Sequence, residues 1–181
     1  MHFAAAAALS LPCTFVEYEP GQTHHDGRRY LPTILLEMAA DPPAGVLPLQ
    51  RLPVVDRHHR VDLTQVGRAG SAVLVLLLCQ FRLQQTPYRQ GLQPQPGGIA
   101  GAPQVFGRVS EVATWEVPAT PLPYQSLYCE YVLDIGWGRV GVRTHVTAAS
   151  LRDKIGCARL HPGDWVEVWR PRIDILQFCA R

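Results

Sequence analysis

From residue 105 to residue 181 the chain alternates apolar and polar side chains in five short runs, with one helix-forming segment between the third and the fourth. The spacing predicts strands over 105–117, 127–135, 139–145, 164–170 and 172–178, and a helix over 148–155. Alternation commits a segment to a sheet with two unlike faces, because successive side chains of a strand point to opposite sides. Local chemistry agrees at three points. Ile135-Gly136-Trp137-Gly138-Arg139 reads as a hairpin turn, Thr147 as a helix N-cap and Gly156 as a helix stop.

The first half reads as β as well. Candidate strands cover 14–18, 29–38, 46–52, 59–63 and 72–83, with Gly or Pro close to most junctions. Pro32 splits the second run or places it at an edge. The apolar run 72–79 is far too short to span a bilayer and reads as a buried strand. Residues 84–104 are rich in Gln, Pro and Gly and nearly free of charge, the composition of a linker. The expected division is therefore a β-rich unit over 1–83, a linker over 84–104 and a second unit over 105–181. Overall the class is all-β with minor α.

Composition narrows the function. A net charge of +2, spread evenly along the chain, gives no bulk attraction for a polyanion, so any such ligand must meet a local patch. The basic side chains are almost all Arg; Lys154 stands alone and asparagine is absent, as a GC-rich genome would produce. Five scattered cysteines without a Cys-x-x-Cys pair read as free thiols of a reducing, cytoplasmic compartment. The Ala-rich start lacks a basic n-region and reads as a frayed N-terminus rather than a targeting segment.

Enzyme motifs are missing: the sequence contains no phosphate loop, nucleophile elbow or His-Glu-x-x-His. No cofactor is expected. The pairs His24-His25 and His58-His59 suggest a metal enzyme only if one residue of each joins Asp26, Asp56 or Asp62, since adjacent strand residues diverge. Solvated loop histidines are the simpler reading.

Strand-strand-strand-helix-strand-strand is the element order of the OB-fold, and 105–181 resembles that superfamily. Leu160-His161-Pro162-Gly163-Asp164-Trp165-Val166-Glu167-Val168 is similar to the turn and fourth strand of such barrels. The resemblance implies a five-stranded Greek-key barrel that binds single-stranded DNA or RNA across its second and third strands. Faces follow from alternation. Val166, Val168, Val140, Val142 and Thr144 point inward; Trp165, Glu167 and Trp169 point outward on the fourth strand. Carried onto this chain, the interface comprises Arg108, Tyr124, Tyr128, Trp137, Arg139, Arg143, His145, Trp169, Arg170 and Arg172. Arginines would hold phosphates and rings would stack on bases, while outward Glu130 and Glu167 would repel the ligand. The competing expectation is an adaptor whose same face holds a protein partner or a second copy of the chain.

Overall fold

The computed structural model describes residues 2–28, 30–38, 41–95, 102–118, 127–145, 152–153 and 156–181, without the side chains of 116–118 and 127. The chain is nearly all β. Twelve strands are described: β1 (Leu11–Glu19), β2 (Thr33–Glu37), β3 (Val46–Leu47), β4 (Arg51–Val55), β5 (Ala69–Leu77), β6 (Gln80–Leu83), β7 (Gln90–Gln93), β8 (Gln104–Pro118), β9 (Leu127–Asp134), β10 (Arg139–Thr144), β11 (Trp165–Trp169) and β12 (Arg172–Ala180). Short 3-10 turns cover Ala6–Ala8 and Leu63–Gln65. Among the described residues no helix is long and apolar enough to cross a membrane.

Five strands close a barrel. β1 pairs antiparallel with β2, β2 with β4, β4 in parallel with β12, β12 antiparallel with β5, and β5 antiparallel with β1. Four of its strands precede residue 84 and the fifth is the last strand of the chain. In chain order its parts are three strands, the 3-10 turn at Leu63–Gln65, then two strands. The element order expected of 105–181 is thus met by a ring drawn mostly from the other half.

The remaining strands trace a second circuit. β8 pairs with β9, β9 with β10 and β8 with β11, all antiparallel. β10 then runs parallel to β5 at Gly141–Val75 and Val142–Leu76, while β11 pairs antiparallel with β6. Only Leu78 and Cys79 separate β5 from β6, and Leu78 has φ 53°. Counted as one bent strand, 69–83 completes this circuit and also belongs to the barrel. Its partner is equally continuous: β11 and β12 flank Arg170, φ 50°, and Pro171. Arg172 lies opposite Leu77 and Trp169 opposite Gln80, so a bent two-stranded ribbon serves both rings.

The apolar run explains this sharing. Leu74 and Leu76 enter the main core with Phe15, Ile34 and Ile175, while Val75 and Leu77 point the other way into a smaller cluster with Phe3, Leu9 and Val132. A strand apolar on both faces is stable only when both are covered. One cover is the N-terminal segment expected to fray: Phe3 is buried against β10, and the Ala4 amide donates to Glu130 Oε2 at 2.8 Å.

Two other expectations change. Residues 90–93, inside the expected linker, form β7, which pairs with β3 and β8. Residues 59–63 form no strand and lead into the 3-10 turn, capped where Asp62 accepts from the Thr64 amide at 2.9 Å. Most of 148–155, with the N-cap Thr147, lies outside the described residues. Gly156, φ 74°, donates its amide to the Arg152 carbonyl at 3.1 Å, as a helix stop does.

Candidate nucleic-acid interface

β11 turns Val166 and Val168 into the core and leaves Trp165, Glu167 and Trp169 on its other face, as the alternation requires. Register sets their neighbours. Trp165 lies opposite Arg108 on β8; Glu167 lies between Phe106 on β8 and Arg82 on β6; Trp169 lies opposite Gln80. The chain from β6 to β7 folds back over this surface. The Gln84 amide donates to the Trp165 carbonyl at 2.8 Å, its side-chain Nε2 donates to the Val166 carbonyl at 2.8 Å, and its Oε1 accepts from the Arg89 amide at 2.8 Å.

Rings and guanidinium groups alternate across the face. Tyr88 stacks on Trp165 with centroids 5.2 Å apart and planes 3° from parallel. The Arg82 guanidinium lies 4.1 Å above the Trp169 ring, and that of Arg89 lies 4.0 Å above Phe106. Each such cation–π contact is worth about 0.5–2 kcal/mol, depending on how dry it is. Glu167, only 4% exposed, sits between the two arginines, paired with Arg82 Nε and, at 3.7 Å, with Arg89 Nη2. The carboxylate expected to repel a phosphate is instead screened from solvent. The Arg82 and Arg89 side chains remain 57% and 46% exposed. With exposed Arg108 and Arg170, four arginines meet solvent here. Glu167 is buried between two of them, and Asp134, opposite Arg108 on β9, accepts from the Gln90 side chain at 3.2 Å and the Gly136 amide at 2.9 Å.

A cleft of about 370 Å³ opens at one end, lined by Gln80, Gln95, Gln104, Trp169 and Arg170. Two atoms of these residues, Trp169 Nε1 and Gln95 Oε1, are buried without a hydrogen-bond partner among the described residues. A larger cleft, about 540 Å³, lies beside Tyr30, Leu31 and Glu19, but among the described residues no cation lines it.

The structure divides the expected interface. Arg108, Trp169 and Arg170 belong to the β6–β11–β8 surface. Tyr128 and Arg143 lie on the β9–β10 face, with the Arg143 guanidinium 5.0 Å from the Tyr128 ring. Arg143 Nε donates to Glu130 Oε1 at 2.5 Å and its Nη2 to the His2 carbonyl, so this guanidinium is committed to the fold. Arg139, exposed, pairs through its backbone with Ser10, and His145 is exposed just beyond β10. Trp137 is no open hairpin tip: it is 9% exposed and donates Nε1–H to the Leu47 carbonyl at 3.3 Å. Arg172 is held by Asp174 at 2.7 and 3.1 Å. Tyr124 lies outside the described residues.

Sequence reasoning missed Gln80, Arg82, Tyr88 and Arg89. Gln80 and Arg82 alternate with buried Phe81, a readable signal; the only signal at Tyr88-Arg89 is an aromatic–cation pair in an otherwise uncharged stretch. The histidine pairs make local contacts. His24 Nδ1 lies 3.2 Å from Asp26 and its ring 4.0 Å from that of His25, while desolvation and nearby positive charges, Arg60 and Arg57 among them, pull the pKa of His58 down. Among the described residues no group of three His, Cys, Asp or Glu side chains could hold a metal ion. No protein-family model, no curated protein and no solved structure matches the chain.

Proposed function

We propose that this is a non-catalytic, single-stranded nucleic-acid-binding protein of OB-type architecture, and that the strand crosses the outer face of β6, β11 and β8. The observation that carries the reading is the alternation of half-exposed arginines with rings over a screened carboxylate. Single-strand binders need cations for phosphates and π-faces for bases, and here the two are fixed in advance. The closed barrel and its element order support the architecture. On this reading Arg108, Arg170 and the solvent sides of Arg82 and Arg89 meet phosphates, while Tyr88 and the edges of Trp165 and Trp169 meet bases. The β9–β10 face is left out, because the N-terminal segment occupies it.

The test is a tryptophan-fluorescence titration with a deoxyoligonucleotide of about 12 nucleotides, within the range one OB-fold covers. Four phosphate contacts give a slope of log K against log salt no steeper than about −2.8, and each arginine removed flattens it by about 0.7. Arg108→Ser and Arg170→Ser are the informative variants, since both side chains are exposed. No quenching at low salt, with concentration-dependent self-association or capture of a protein instead, favours the adaptor reading.

A further inference from the structure

The cleft beside Trp169 has a chemistry unlike the rest of the face. Three of its five lining residues are glutamines, a fourth is the indole of Trp169, and the fifth is the exposed Arg170. Gln93 Nε2 donates to Gln104 Oε1 at 2.7 Å, which engages one end of that amide. Among the described residues Trp169 Nε1 finds no acceptor and Gln95 Oε1 no donor. A buried polar group without a partner is costly, and a donor and an acceptor left over on two residues that line one cleft call for a ligand offering the complementary pair.

We propose that this cleft is a nucleotide subsite: the edge of one base accepts from Trp169 Nε1–H and donates to Gln95 Oε1, and its phosphate lies against Arg170. Every nucleobase carries an acceptor beside a donor on one edge, so the pair selects for a base rather than for a particular one. The volume lies at the small end of the range for ligand pockets. As the cleft stands, neither orphan atom reaches solvent. A ligand therefore enters by turning a glutamine side chain, the kind of adjustment common at interfaces. The subsite deepens the single-strand reading and rests on it for the source of the nucleotide, a residue of a bound strand rather than a free mononucleotide.

The experiment compares the protein with Trp169→Phe, which keeps a ring beneath Arg82 but removes the N–H, and Gln95→Leu, which removes the acceptor. Circular dichroism first establishes that both variants fold. Three titrants are used: a mixed-sequence oligonucleotide of about 12 nucleotides, an abasic strand of equal length, and a nucleoside 5′-monophosphate. Each substitution is expected to weaken the oligonucleotide about tenfold, the effect of one hydrogen bond, and to leave the abasic strand unchanged. Equal affinities of both variants and the parent for the oligonucleotide overturn the subsite and leave the single-strand reading intact. Binding of the monophosphate alone, lost in Trp169→Phe, keeps the subsite and overturns the single-strand reading. A protein that binds none of the three overturns both.

Discussion

Phe3 and Gly141 make a pair whose coupling can be worked out from distances. Phe3 is 1% exposed, packed with Leu9, Val75, Leu77 and Val132. A Cβ on Gly141 would lie 2.8 Å from Phe3 Cζ, 2.9 Å from its Cε2 and 3.0 Å from Leu9 Cδ1. Gly141→Ala therefore forces the ring out of its seat, at about 1–3 kcal/mol for overpacking. Phe3→Ala removes the ring and costs about 3–5 kcal/mol. For a chain of this length that is a fall in Tm of the order of 10 °C. In the double variant the new methyl enters the space the ring has left. The clash with Phe3 then vanishes and only the 3.0 Å approach to Leu9 Cδ1 remains, so the coupling approaches most of the overpacking term, about 1–3 kcal/mol. Urea unfolding of the parent, both single variants and the double variant measures it. Additivity within about 0.5 kcal/mol would mean that Phe3 is not seated on β10. The same variants test where nucleic acid binds: Phe3→Ala, assayed while folded, leaves oligonucleotide affinity unchanged if the ligand uses β6, β11 and β8. A several-fold gain would transfer the site to the uncovered β9–β10 face.

Arg143→Ala strips a 1%-exposed Glu130 of its cation and should cost about 3–5 kcal/mol in urea unfolding without flattening the salt slope of oligonucleotide binding. Arg108→Ser should do the reverse, changing the slope and leaving the unfolding midpoint in place. Trp137→Phe loses the bond to the Leu47 carbonyl and about 1 kcal/mol of stability. It should leave the fractional quenching by oligonucleotide unreduced, because this indole is buried away from the proposed face. Burial raises Cys13 from 9.0 to about 11 and Cys79 to about 12. Both thiols keep their protons in the fold where the unfolded chain begins to lose them, so their contribution to stability is complete below pH 9 and falls as pH rises toward 11–12. Iodoacetamide at pH 8 should modify exposed Cys179 in the native protein but reach Cys13 and Cys79 only after denaturation.

The alternation of 105–181 placed all five of its strands within two residues of their bounds at both ends, and the faces of β10 and β11 were correct. Such features are local: a period-two pattern states which side chains must be covered. It does not state what covers them. Val75, Leu77 and Val132 demand a lid, and nothing in their own spacing points to Phe3 and Leu9, far away in sequence. Ring membership escaped the sequence for the same reason. β12 could satisfy Ile173 and Ile175 against any apolar strand of suitable twist. It lies on β5, a strand whose two faces both require burial, and the chain continues through Leu78 into the other ring.

The division of the expected interface follows from that topology. Where each ring shares a strand with its neighbour, the face beside the shared strand is spent on packing, and cations there become structural, as the Arg143–Glu130 and Arg172–Asp174 pairs illustrate. A face keeps cations for a ligand only where paired guanidinium groups still reach solvent. Arg82 and Arg89 do so beside β11, although β6 and β11 belong to the shared ribbon, and the Glu167 carboxylate between them is satisfied from within the sheet. Glu167→Gln sharpens the point. If Glu167 serves only to hold Arg82 and Arg89 in place, the neutral amide should loosen both guanidinium groups, lower stability by about 1–3 kcal/mol, and raise the oligonucleotide on-rate at low salt because one negative charge has gone. An on-rate that falls instead would show that pre-placed arginines matter more to encounter than net charge, and that the order of this face, rather than its sign, is what a strand recognises.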